Sequence, residues 1–159
     1  MKVQEVRERY NLSQQQAANM AGVPLRTYVR YDTDESYGSA IKRAYIIEKI
    51  ENNCKITEER GILSIEQIKT RVKDVFDKDY PGLIECCYLF GSYAKGYAKG
   101  DSDIDLCVST DLAGLKFVGL IEVLRQVLNK KVDLIRLSDL NNNIELVKEI
   151  MKDGIKIYG

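Results

Sequence analysis

Two aspartates one residue apart, Asp103 and Asp105, open the apolar run Ile104-Asp105-Leu106-Cys107-Val108. On an extended strand, alternation puts both carboxylates on one face, with Cα atoms roughly 6.5–7 Å apart. Carboxylates so placed can converge on one divalent cation or bridge two. Upstream, the turn Gly91-Ser92 ends a second apolar run, Leu83 to Phe90. Small residues there let backbone N–H groups approach a phosphate. A third carboxylate, Asp133, sits among apolar neighbours in Lys131-Val132-Asp133-Leu134-Ile135. Burying it alone would be costly, and that cost disappears if it stands beside Asp103 and Asp105 around Mg²⁺. The grouping implies chemistry on a nucleoside triphosphate. The chain contains no histidine, which excludes Ser-His and Cys-His catalysis and histidine metal sites. Acid–base and metal chemistry fall to carboxylates, lysines or tyrosines. Cys54, Cys86, Cys87 and Cys107 lack paired C-x-x-C spacing and read as buried small hydrophobes.

These groups need elements to hold them. Ser64 to Gln67 has the form of a capping box, and Ile65, Ile68, Val72, Val75 and Phe76 then recur at helical spacing. After Pro81-Gly82, the run from Leu83 to Phe90 predicts a central strand covered on both sides. Tyr93 to Tyr97 predicts a short helix behind the Gly-Ser turn, and Asp103 to Val108 the second strand. Leu112 to Leu128 predicts an amphipathic helix with Leu115, Val118, Ile121, Leu124 and Leu128 inward. A third strand follows at 131–135, then a helix over Asn143–Met151 and a short strand at Ile155–Tyr158.

The first third is of another kind. Ser13 to Gln16 is a second capping box, Ala21-Gly22-Val23 a tight turn, and Pro24 suits the start of the next helix. On that helix Tyr28 and Tyr31 face inward, while Arg26 and Arg30, four apart, share the outer face. A longer helix is predicted over Ser39–Asn52, with Ile41, Tyr45, Ile46 and Ile50 inward. The expected organisation is residues 1–53, a linker over 54–63, and a second domain over 64–159.

The whole chain of 159 residues is 45% apolar and 30% charged with formal net charge zero, a globular composition without a global basic field. No apolar run approaches about 18 residues, so no membrane span is expected. The N-terminus lacks the apolar segment of a signal peptide, which makes a cytoplasmic location the expectation.

Residues 64–159 resemble the minimal nucleotidyltransferases of the DNA polymerase β superfamily. Their signature, Gly-Ser, ten residues, then Asp-x-Asp, is met by Gly91, Ser92, Asp103 and Asp105, with Asp133 as the later carboxylate. Tyr93 stands where family members often carry arginine, and Lys95 supplies a cation two residues on. The resemblance implies an α+β or α/β fold, a mixed sheet flanked by helices. It also implies two-metal transfer in which Asp103, Asp105 and Asp133 hold two Mg²⁺ ions. Gly91, Ser92, Lys95 and Ser102 would bind the nucleoside triphosphate, ATP. Within the superfamily the chain is similar to the MNT antitoxins of HEPN/MNT toxin–antitoxin pairs, which transfer AMP to a tyrosine of the HEPN ribonuclease. Residues 12–32 resemble the helix-turn-helix of Cro/C1 (XRE) regulators. That likeness implies operator DNA as a partner, with Leu25, Arg26 and Arg30 toward base edges and Gln14 toward phosphate. Residues 1–53 hold eight basic against seven acidic side chains, so DNA binding calls for a dimer or larger assembly. Two other readings fit the same residues: adenylylation of a small molecule such as an aminoglycoside, and a nucleotide-sensing regulator without catalysis.

Overall fold

A computed structural model describes all 159 residues. The chain forms two compact units, Met1–Lys55 and Ile56–Gly159.

The first unit is helical: α1 (Val3–Arg9), α2 (Gln14–Ala21), α3 (Leu25–Thr33) and α4 (Ala40–Cys54). Ser13 caps α2 in a reciprocal box with Gln16, which satisfies two of the free N–H groups at the helix start. Gly22 ends α2 at φ 67°, the left-handed conformation that glycine adopts without a Cβ penalty. Val3, Val6, Ala17, Ala18, Tyr28, Tyr31, Ile46 and Ile50 build the core. Small alanines on α2 let α3 and α4 pack close. Buried Asp32 ties three helices together. It accepts from Arg7 Nε at 3.0 and 3.1 Å, Gln14 Nε2 at 2.9 Å and Tyr28 Oη at 3.4 Å. On α4 the expected inward face is half right. Ile46 and Ile50 are buried, whereas Ile41 and Tyr45 are 84% and 46% exposed. α4 meets the core only from Ile46 onward, so the side chains of Ile41 and Tyr45 are left outside it.

The second unit begins with α5 (Ile65–Asp79), capped by the Ser64–Gln67 box. A four-stranded mixed sheet follows in the order β3-β2-β1-β4, from β1 (Ile84–Phe90), β2 (Ile104–Thr110), β3 (Val132–Arg136) and β4 (Ile155–Tyr158). β1 pairs antiparallel with β2 and β4, and β2 pairs parallel with β3. The short α6 (Gly91–Lys95) follows β1, α7 (Leu115–Leu128) carries the crossover from β2 to β3, and α8 (Ile144–Asp153) precedes β4. One sheet face packs Leu89, Ile104, Leu106 and Val108 with Ile68, Val72 and Phe76 of α5 and Leu120, Leu124 and Leu128 of α7. The opposite face holds Phe90 and Cys107 under Leu140, Leu146, Val147 and Ile150. Strand alternation therefore sends Leu106 and Leu134 to the first face and Asp105 and Asp133 to the second.

On α7 the expected inward face holds at Leu124 and Leu128, with Ile121 packed against the core, and fails in the first turn. Leu115 and Val118 are 90% and 58% exposed, while Leu120, Leu124 and Leu128 are fully buried. The helix is apolar on most sides, so its sequence offers two overlapping stripes, and the sheet selects the one centred on Leu124. Of the cysteines, Cys87 and Cys107 are buried and Cys54 and Cys86 only half-buried; all four are free. No helix is long and apolar enough to cross a membrane.

Candidate active site

The end of β1, the start of β2 and the start of β3 lie side by side. Phe90 pairs with Asp105, and Asp105 pairs with Asp133. Neighbouring strands are about 4.8 Å apart, so the last two carboxylates stand next to each other on one face. Asp103 lies one residue before β2, in the loop that enters it, and is exposed. Asp133 is exposed as well. The burial cost expected of Asp133 is therefore not incurred, because its face of β3 is open at this end of the sheet. Asp105 is half-buried. Its carboxyl is pushed up to about 6, chiefly by burial and then by the negative charges of Asp133, Asp103 and Glu149.

Gly91 makes this packing possible. Its φ is 70°, and a Cβ there would lie 2.9 Å from Asp105 Cγ and closer still to the carboxylate oxygen. Both facts require glycine. Ser92, the second residue of α6, is half-buried, and its carbonyl accepts from Gly96 at 3.0 Å and Tyr97 at 3.1 Å. Tyr93 is buried in the core beneath and anchors α6, whereas Tyr97 is exposed. Lys95 projects to α8, where its Nζ lies 2.7 Å from Glu149 Oε1. That carboxylate raises the lysine above its usual range. Ser102 closes the loop before Asp103: its Oγ accepts from Lys99 N at 2.8 Å, and its own N–H donates to Lys99 O at 3.0 Å. Glu149 was not singled out in the sequence, since only the packing of α8 against this sheet face brings it to Lys95.

The donor set is all oxygen, which suits hard divalent cations. No group of three or more carboxylates or thiols is gathered closely enough to form a ready-made metal cage. The carboxylates are grouped and mutually repelling rather than paired with a basic side chain, apart from the Lys95–Glu149 bridge at their flank.

In the first unit, Leu25, Arg26 and Arg30 are exposed on α3. Arg30 stacks over the Tyr37 ring at 5.5 Å. Gln14 is turned toward Asp32.

A mixed sheet that sets a Gly-Ser bend beside Asp105 and Asp133 is an arrangement that suits nucleotidyl transfer. The chain belongs to the polymerase beta nucleotidyltransferase family, whose model matches residues 70–159. The protein adenylyltransferase MntA of Thermococcus cleftensis is 37% identical over 71 residues, covering 43% of this chain and 70% of its own. A relative from Methanocaldococcus jannaschii is 34% identical over 87 residues, covering 52% of this chain and 85% of its own. Among solved structures, a toxin–antitoxin crystal structure with AMP-PNP aligns at TM-score 0.49 and 26% identity, covering 57% of this chain and 73% of that one.

Proposed function

We propose that the protein is a Mg²⁺-dependent protein adenylyltransferase that moves AMP from ATP to a tyrosine of a partner HEPN-type toxin and so acts as its antitoxin. The juxtaposition of Asp105 and Asp133, with Gly91 pressed against the Asp105 carboxylate, carries the catalytic part. The likeness to a named protein adenylyltransferase supports a protein acceptor. The HEPN partner rests on the resemblance of the Gly-Ser and Asp-x-Asp constellation to MNT antitoxins.

Asp103, Asp105 and Asp133 would hold two Mg²⁺ ions. When bound, the metal supplies charge neutralisation at the triphosphate and lowers the pKa of the acceptor hydroxyl. Ser92, the backbone of the Gly91-Ser92 bend and Ser102 cradle the phosphates. Lys95, released from Glu149, adds a cation there as a point charge rather than a planar fork. The tyrosine oxygen attacks the α-phosphorus, the bond to the β-phosphate oxygen breaks, and pyrophosphate leaves. The tyrosine proton passes to solvent as the oxygen–phosphorus bond forms.

For the first unit the reading is a helix-turn-helix. Residues 1–53 bind operator DNA through Leu25, Arg26 and Arg30 on α3, as a dimer or larger assembly, and so regulate the toxin pair's own operon.

The test is transfer of label from α-labelled ATP to a co-purified HEPN protein in the presence of Mg²⁺. Mass spectrometry should locate AMP on a tyrosine, and the combined Asp103→Asn and Asp105→Asn change should abolish it while leaving the fold intact. Label transferred only to aminoglycosides would replace this reading.

A further inference from the structure

Lys130 is fully buried, an unusual place for a lysine. Its backbone is fixed on both sides. Asn129 ends α7 in the left-handed conformation, and the Lys131 carbonyl accepts from Ile104 N at 2.9 Å at the start of β2. From this fixed point the ammonium donates to Gly100 O at 2.5 Å and Arg60 O at 3.2 Å. The two carbonyls belong to different segments. Arg60 closes a tight turn with Thr57 through paired backbone hydrogen bonds. Gly100 lies in the Lys99–Ser102 turn that leads directly into Asp103. The turns touch: a Cβ on Gly100 would meet Glu59 O at 3.3 Å and Arg60 Cα at 3.4 Å. Burial lowers the lysine's proton affinity, against attraction from Asp101 and Glu58.

We propose that Lys130 is a positioning residue that pins the Lys99–Ser102 turn to the Thr57–Arg60 turn and thereby fixes Asp103 relative to Asp105. It touches neither carboxylate. Its two carbonyl bonds act on the loop, and the loop holds the aspartate. A charged donor makes the stronger kind of hydrogen bond, and removing it leaves two carbonyls without this partner. The role toward bound metal rests on the catalytic reading given above; the pinning of the loop does not.

Two measurements on the full-length protein test it. Lys130→Met keeps much of the side-chain length and removes the ammonium. In metal-free buffer, amide hydrogen exchange over residues 57–61 and 99–103 should accelerate at least about tenfold, with β1 and the centre of β2 unchanged. Titration with Mn²⁺, read by the loss of the free-ion spin resonance signal, should then require about tenfold more metal. Exchange that rises uniformly over the unit would reduce Lys130 to a stability residue and overturn the proposal, as would unchanged exchange in both turns. If the wild-type protein takes up no Mn²⁺, the metal-site reading fails, while the exchange data still decide the pinning. Should Lys130→Met not fold, Gly100→Ala disturbs the same junction without deleting a charge. It should loosen 99–103 selectively, and an unaltered exchange pattern would equally overturn the proposal.

Discussion

Gly91 and Asp105 are in contact across the β1–β2 pairing, with no room for a methyl group between the glycine Cα and the carboxylate. Gly91→Ala therefore meets two penalties. The left-handed backbone costs about 1–2 kcal/mol for a residue with a Cβ, and Asp105 must move. A displacement of the order of 1 Å in a catalytic group lowers rates roughly 100-fold. Gly82→Ala is the matched comparison, since Gly82 shares a positive φ of 71° but has nothing within 4 Å of its Cβ position. Urea denaturation should show the backbone cost alone in Gly82→Ala and a larger loss in Gly91→Ala, and only Gly91→Ala should lose AMP transfer.

Asp105 makes stability depend on pH. Its carboxyl is raised from 3.8 to about 6 in the fold, so the folded state holds the proton more tightly than the unfolded chain. The contribution of this group to stability is present at pH values below 3.8 and is lost as pH rises through about 6. Asp105→Asn removes that loss. In chelator-treated protein its melting temperature should match wild type in acid and exceed it above pH about 6, although transfer is abolished. Added Mg²⁺ should raise the wild-type melting temperature more than that of the variant. Equal melting temperatures across the pH range would contradict the crowding of negative charge at this site.

In the first unit, Asp32→Ala should leave the Arg7 guanidinium without its carboxylate, a loss of about 3 kcal/mol for a largely buried pair. Gln14→Ala removes one hydrogen bond to the same carboxylate and should cost about 1 kcal/mol. Thermal unfolding followed by circular dichroism checks both. A Gln14→Ala protein of wild-type stability with weakened DNA binding would assign Gln14 to phosphate contact instead.

Arg26→Ala and Arg30→Ala should each weaken binding to operator DNA without altering AMP transfer. Where the lost contact is to phosphate, the slope of log affinity against log salt should fall by about 1. Electrophoretic mobility shifts at several salt concentrations measure this. Arg30 also leaves the Tyr37 ring, so its change should have the larger effect on the local fold.

The strands carrying the site were legible from alternation: Ile104, Leu106 and Val108 lie in the core as their spacing requires. The break after β1 at Gly91-Ser92 was legible too, although the short helix there runs over Gly91–Lys95 rather than from Tyr93 to Tyr97. Helix rotation was legible only in part. Leu124 and Leu128 are buried as their spacing requires, but Leu115 and Val118 extend the same stripe to a first turn that the sheet does not cover, and Leu120 is buried in their place. Lys130 escaped notice because a lysine beside Lys131 reads as solvated charge. Its burial depends on two loop carbonyls more than 25 residues away in sequence.

β3 occupies the outer margin of the sheet and is five residues long. Two of the three acids ride on β2 or on the loop entering it, whereas Asp133 hangs from this rim. Fraying of the rim would silence the chemistry while the β1–β2 hairpin stayed folded. The proposed acidic set could thus be disassembled by a local opening that costs less than unfolding the whole unit.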